Sequence, residues 1–158
     1  MAASDIKFPI SEQRSSFREY FIALFQQDKK RYIDKLTVED QRIPDPYTLP
    51  GECWENDCSK WPNIEYGDVW NYLVHTPGLY TQEAMKAYKS IDGYNFLVSG
   101  HVQPVLYHDV LDSSVCVLTA KVIPSQKVSD KKQWHHPWLL VNKKGGYIVA
   151  AHCSCKSG

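Results

Sequence analysis

The stretch that decides the fold is Pro137 to Gly158, PWLLVNKKGGYIVAAHCSCKSG. Two runs rich in strand-forming side chains flank Lys144-Gly145-Gly146, a sequence typical of a tight turn. The stretch therefore predicts a β-hairpin whose second strand ends in His152-Cys153-Ser154-Cys155. The small residues around the cysteines allow the chain to bend, so that the two thiols converge on one metal ion.

Cys153 and Cys155 are the strongest candidates for metal ligands. Zinc favours cysteine sulfur and takes four ligands in structural sites. Two thiols with no second pair after them suggest half of a zinc site whose remaining ligands lie beyond Gly158. His152 is a weaker candidate, better suited to support the ligands than to bind the metal. The residues alone leave open the alternative that both thiols are incidental.

Composition and charge place the chain among globular proteins. Its 158 residues fit one domain, with or without a helical extension, and 43% of them are apolar. Because 18 basic residues balance 18 acidic ones, non-specific binding of duplex DNA by the whole domain is not expected. No apolar run approaches transmembrane length, and the N-terminus lacks the layout of a secretion signal. We therefore expect an intracellular protein, nuclear or cytoplasmic, with no membrane partner.

The first 42 residues are predicted to form a helical extension. Ser15 to Tyr32 predict a helix, because apolar side chains recur at helical spacing from Phe17 to Phe25. This apolar stripe is a candidate interface for a homodimer. Three prolines between Gln41 and Gly51 predict a linker, so we place the main domain at residues 43–158.

Cys53 and Cys58 form a second cysteine pair, in a segment that also contains Trp54 and Trp61. Their spacing lies within the range of zinc knuckles, so both are weaker candidates for metal ligands. Two other interpretations remain open. The thiols belong to a loop packed near the tryptophans, or they form a disulfide with each other.

Two short helices are expected next. Tyr66 to His75 predict the first, with Val69, Tyr72 and Leu73 on one face, and a Thr-Pro-Gly sequence ends it. Gln82 to Ser90 predict the second. The pair is either a helical hairpin packed on a sheet or a helix-turn-helix-like corner whose second helix enters a DNA groove.

From Asp92 the apolar period changes from helical to two residues. Tyr94 to Tyr107 and Val115 to Ile123 each predict a strand, with a turn at Asp112-Ser113-Ser114 between them. Together with the terminal hairpin they give a four-stranded antiparallel sheet. Three helices followed by four strands predict an α+β fold.

The chain resembles a group of animal proteins over roughly Ile43 to Gly158. The motifs that carry the resemblance are, in order, IPDPYTLP, WPNIEYGDVWNYLVHTPGLYT, KAYKSIDGYNF, SGHVQ, KVIPSQ and AHCSCKSG. Those proteins carry this module, then a SWIM-type zinc finger, and often a YqaJ-type viral recombinase nuclease domain. The resemblance implies that Cys153 and Cys155 are the Cys-x-Cys half of the SWIM pattern, with zinc as cofactor. The Cys-x-His half would lie beyond Gly158, as would any nuclease activity.

Three functions follow from these observations. The first is a non-catalytic module that positions a zinc finger on DNA or a protein partner. The second is a stand-alone protein-interaction domain, dimeric through the helix at Phe17 to Phe25. The third is a cysteine-dependent enzyme that pairs Cys153 or Cys155 with a histidine as base. The candidate bases are His135, His136 and His152.

Overall fold

The computed structural model describes residues 26–76, 93, 95–124, 134–153 and 155. The chain divides into two compact units, Met1–Glu55 and Asn56–Gly158. The domain boundary predicted after residue 42 falls within the first unit, and the assignment of a helical extension stays a prediction. The apolar stripe from Phe17 to Phe25 and the second short helix, Gln82 to Ser90, lie outside the described residues.

The first unit contains a helix and a small hairpin. Helix α1 spans Gln26–Lys35, so it ends at Lys35 rather than at Tyr32 as predicted. Strands β1 (Thr37–Val38) and β2 (Gln41–Arg42) pair antiparallel. The two residues between them, Glu39 and Asp40, have φ values of 50° and 63°. Positive φ at both positions of a two-residue loop is the turn geometry that matches the twist of a hairpin.

The segment predicted as a linker, Gln41 to Gly51, is structured. After β2 it forms a 3-10 helix at Pro46–Thr48, capped by Asp45, whose carboxylate accepts a hydrogen bond from the Tyr47 amide. The Tyr32 hydroxyl donates to the same carboxylate at 2.8 Å. Pro46 is tolerated because it is the first residue of this helix, where no amide donor is needed. This segment therefore has defined local structure, and its role as a linker stays a prediction.

The second unit has an α+β architecture, which confirms the predicted fold class. Helix α2 spans Tyr66–His75, with the bounds predicted from the sequence. Four strands follow, and they pair antiparallel in chain order as β3-β4-β5-β6. Their bounds are, for β3 and β4, Leu106–Asp109 and Val115–Thr119, and, for β5 and β6, Trp138–Asn142 and Ile148–His152.

The strand predicted from Tyr94 to Tyr107 is wrong over its first half. Residues 95–98 are helical, and strand β3 begins only at Leu106. Gly100, with φ of 78°, follows the helical residues, and the His101 amide donates to the Phe96 carbonyl at 3.0 Å. The Gly100 amide donates to the Leu97 carbonyl at 3.1 Å. This pattern is the glycine-terminated helix end known as the Schellman motif.

The sheet is buried on both of its faces at β4. Val115, Cys116 and Val117 are fully buried. Because neighbouring side chains of a strand point to opposite faces, both faces of β4 are covered. One face holds a core cluster with the following members: Tyr107, Cys116, Leu118 and Val141, packed against Ile64, Val105 and Leu139. The burial of these apolar side chains is the main contribution to the stability of the second unit.

Helix α2 buries its apolar side chains unevenly. Val74 is only 4% exposed, whereas Val69 is 36% exposed. Tyr72 and Leu73 are half-buried, and Tyr66 is 71% exposed. The helix carries apolar side chains around most of its circumference, so periodicity alone does not select the buried face.

Lys143, just after β5, ties the turn between β3 and β4 to the terminal hairpin. Its ammonium lies 2.7 Å from the Asp109 carboxylate and donates to the Val110 carbonyl at 2.7 Å. Its amide donates to the Ser114 carbonyl at 2.8 Å. The Lys143 ammonium holds the pKa of Asp109 below its ordinary value. Asp109 therefore has a structural role.

Candidate metal centre at the end of the terminal hairpin

The hairpin predicted from the last stretch of sequence is present, and its turn is held by a buried asparagine. The side-chain oxygen of Asn142 accepts hydrogen bonds from the Lys144 amide at 3.1 Å and the Gly145 amide at 2.7 Å. Gly146 has φ of 72°. A Cβ atom at Gly146 would lie 1.9 Å from the Asn63 carbonyl oxygen, so the turn packs directly against the backbone that precedes α2.

Strand β6 leads to the cysteines and lies at one edge of the sheet. Helix α2 packs against it. The Tyr72 hydroxyl oxygen accepts a hydrogen bond from the Ala151 amide. In the described part of the sheet, no strand lies beyond β6 to accept from that amide, so the tyrosine takes the place of a strand. The last residues of β6 are thus held from the side by α2 before the chain reaches Cys153.

His152 is held from the other side by the sheet. It pairs with Trp138 in the register between β5 and β6, and the centres of the two rings are 5.8 Å apart. Trp138 is only 1% exposed and is the largest fully buried side chain among the described residues. The imidazole therefore lies against a rigid part of the core, immediately before the first thiol.

The thiols of Cys153 and Cys155 lie together. The Cys155 amide donates a hydrogen bond to the Cys153 sulfur at 3.4 Å, and the two side chains are hydrogen-bonded to each other. The chain bends at Cys155, and both residues are half-buried. The bend expected from the small residues is thus present, and it brings the two sulfurs to one place.

The Cys153 sulfur is expected to be protonated at neutral pH unless a cation displaces the proton. The hydrogen bond with the Cys155 thiol and burial together raise the pKa of Cys153 far above its ordinary value, while the Cys155 amide opposes them by lowering it. Metal ions bind thiolates, so binding must release protons and weaken as the pH falls.

The pair supplies two of the four ligands that a structural zinc site needs. Over residues 26–76, 95–124 and 134–153, with Gly93 and Cys155, no group of three or more histidine, cysteine, aspartate or glutamate side chains is arranged to hold a metal. The donor chemistry of Cys153 and Cys155 fits zinc. A complete zinc site requires further ligands in addition to these two sulfurs.

The second cysteine pair is divided between the two units. Cys53 ends the 3-10 helix Gly51–Cys53 in the first unit, and Cys58 begins the 3-10 helix Cys58–Lys60 in the second. All five cysteines of the chain are thiols, so the interpretation of Cys53 and Cys58 as a disulfide is not supported. Their role as metal ligands stays a prediction.

Two of the groups proposed for cysteine-dependent catalysis, Cys153 and His136, have pKa shifts in the wrong direction. A nucleophilic cysteine needs a depressed pKa, whereas the pKa of Cys153 is raised. Cys116, which was not proposed for catalysis, is a core thiol: burial raises its pKa to about 11, and it donates to the Val141 carbonyl. Burial and the charges of Lys121 and His135 lower the pKa of His136 to about 4, so this imidazole is neutral at pH 7.

The low pKa of His136 predicts acid-sensitive stability. Between about pH 6.5 and 4 the unfolded chain binds a proton that folded His136 refuses, so stability is lost as the pH falls through that window. We expect a loss of about 1–2 kcal/mol after allowing for partial solvent exposure. Urea unfolding at several pH values would measure it. His136→Gln should flatten the slope over this window, and an unchanged slope would contradict the assignment.

Sequence reasoning identified the thiols but missed the groups that hold them in place. Tyr72 was assigned to one apolar face of its helix, and its contact with Ala151 has no signal in the local sequence. Asn142 before a Lys-Lys-Gly-Gly turn was a usable signal, because asparagine side chains commonly accept from amides two residues on.

Comparison of the chain with protein-family models, curated proteins and solved structures gives no match. The resemblance to SWIM-type zinc-finger proteins therefore stays a prediction. Within the described residues, no helix is long and apolar enough to cross a membrane.

Proposed function

We propose that this protein is a non-catalytic α+β module that presents the first two ligands of a SWIM-type zinc site for binding DNA or a protein partner. The observation that carries the proposal is the convergence of the Cys153 and Cys155 sulfurs at the end of β6. The end of β6 is fixed by its contacts with Tyr72 and Trp138. This favours a ligand pair over incidental thiols, because fixed ligands lose less entropy on binding a metal.

Each neighbouring group has a defined part in this proposal. Cys153 and Cys155 would bind the metal as thiolates. The Cys155 amide points at the Cys153 sulfur and stabilises its negative charge, as the hydrogen bonds around metal ligands commonly do. His152, packed on Trp138, positions the strand end. Zinc would supply a structural cross-link between this strand end and the segment that carries the remaining ligands.

The module itself is proposed to do no chemistry. The raised pKa of Cys153 and the lowered pKa of His136 are the reverse of what a thiol nucleophile and its base require. Nuclease activity, where it accompanies this module, would reside in another domain. The balanced net charge of the chain favours recognition through a local surface over binding by a general basic field.

Cobalt titration followed by absorption spectroscopy, on a version of the chain extended by some tens of residues past Gly158, tests the metal proposal, since Co²⁺ reports thiolate ligation by a charge-transfer band. We expect the band to grow with pH as protons are released, and affinity to fall at least about tenfold in Cys153→Ser and in Cys155→Ser. Cys58→Ser, which removes an exposed thiol, is the matched control and should keep the band. A band that survives both substitutions at the hairpin would exclude these two residues as ligands.

A further inference from the structure

The two sulfurs at the end of β6 are arranged for reaction with each other as well as for binding a cation. They belong to residues separated only by Ser154, the two side chains are hydrogen-bonded, and the Cys155 amide lies 3.4 Å from the Cys153 sulfur. Both residues are half-buried, so small solutes reach them. Cys116, in contrast, is fully buried in the core between strands and is shielded from solutes.

We infer that Cys153 and Cys155 form a reversible redox modification site, oxidised to an intramolecular disulfide by exchange with a small disulfide such as oxidised glutathione. The exchange is slow and uncatalysed, and mildly alkaline pH supplies the small thiolate fraction that it needs. One cysteine loses its proton to the solvent and attacks the oxidant. A mixed disulfide forms, the bond between the two oxidant sulfurs breaks, and one glutathione leaves as a thiol. The second cysteine then attacks the mixed disulfide and releases the other glutathione. Overall, two protein thiols lose two protons and two electrons, and one small disulfide is reduced to two thiols.

The one-residue separation gives this disulfide its expected character. A bridge across a single residue closes a small ring, and strained disulfides are the ones that are readily reduced again. The modification is thus suited to a switch. Its consequence, which rests on the proposed function, is that the oxidised pair offers no thiolate to zinc, so oxidation and metal binding exclude each other.

The experiment uses the full chain carrying Cys53→Ser and Cys58→Ser, with its fold checked by circular dichroism. This background keeps three of the five cysteines. After incubation with oxidised glutathione at mildly alkaline pH, alkylation and mass spectrometry under denaturing conditions should find that thiols fall from three to one. The product should have lost two hydrogen atoms and carry no glutathione, and dithiothreitol should restore it. Adding Cys153→Ser or Cys155→Ser should instead trap one glutathione on the remaining cysteine of the pair.

Stable glutathione adducts on the chain with both cysteines intact would overturn the inference, because they show that the second sulfur does not reach the first. Three unmodified thiols would overturn it as well. The cobalt titration of the reduced, extended chain separates this result from the proposed function. Disulfide formation without cobalt binding overturns the metal proposal alone, and cobalt binding without disulfide formation overturns the redox inference alone.

Discussion

Replacing Gly146 by alanine is expected to destabilise the second unit by at least about 3 kcal/mol. Two independent effects add at this position. A residue with a Cβ atom at φ of 72° costs about 1–2 kcal/mol in the left-handed region. The new Cβ atom would also lie 1.9 Å from the carbonyl oxygen of Asn63, so a backbone segment must move. Urea unfolding followed by circular dichroism would measure the loss.

Two other glycines provide controls for this substitution. A Cβ atom added at Gly67, near the start of α2, would meet no atom within 4 Å, so Gly67→Ala should change stability by no more than about 1 kcal/mol. Gly145→Ala meets chiefly the ring carbons of Tyr147 at 2.9 Å, which a side-chain movement relieves, and its cost should be intermediate. Equal costs at Gly145 and Gly146 would show that the contact with Asn63 is not responsible.

Trp138→Ala is expected to cost about 3–5 kcal/mol, because it empties the largest fully buried site among the described residues. The indole also lies under the His152 ring, so its loss should loosen the strand end that carries the thiols. We therefore expect faster amide exchange at His152 and Cys153, together with lower stability, in hydrogen-exchange measurements.

Two matched variants distinguish the cost of the cavity from the general effect of a substitution on stability. Trp138→Phe keeps an aromatic ring against His152 and should cost about 1–2 kcal/mol. Leu111→Ala, at a position that is 77% exposed, should cost under about 0.5 kcal/mol. A cost for Trp138→Ala as small as that for Leu111→Ala would contradict the assignment of Trp138 to the core.

The parts of the fold that sequence predicted well are those with strong local signals. Helix α2 has an acidic residue in its first turn and a Thr-Pro-Gly sequence after it, and its bounds were correct. The terminal hairpin has two strand-like runs around a glycine turn. The prediction of a strand from Tyr94 was wrong over its first half, because a short continuous apolar run fits a helix and a buried strand equally well. The deciding signal was Gly100, which ends the helical turn with φ of 78°.

The candidate site, too, could be predicted only in part from the sequence. The identity and spacing of Cys153 and Cys155 were visible in the sequence, because cysteine pairs are a chemical pattern. Their support was not visible, because it comes from distant residues: Tyr72 on α2 and Trp138 on β5. These contacts depend on how the helix packs on the sheet, and a short window of sequence does not determine that packing.

The hydrogen bond from Ala151 to Tyr72 also bears on self-association. An edge strand with unsatisfied amides is a template for pairing with another chain, and edge-to-edge pairing is a route to aggregation. At β6 the hydroxyl oxygen of Tyr72, on a helix packed against the strand, accepts from one of those amides, so an incoming strand cannot pair with it. The contact therefore opposes edge-to-edge pairing at the end of the strand that leads to the two thiols.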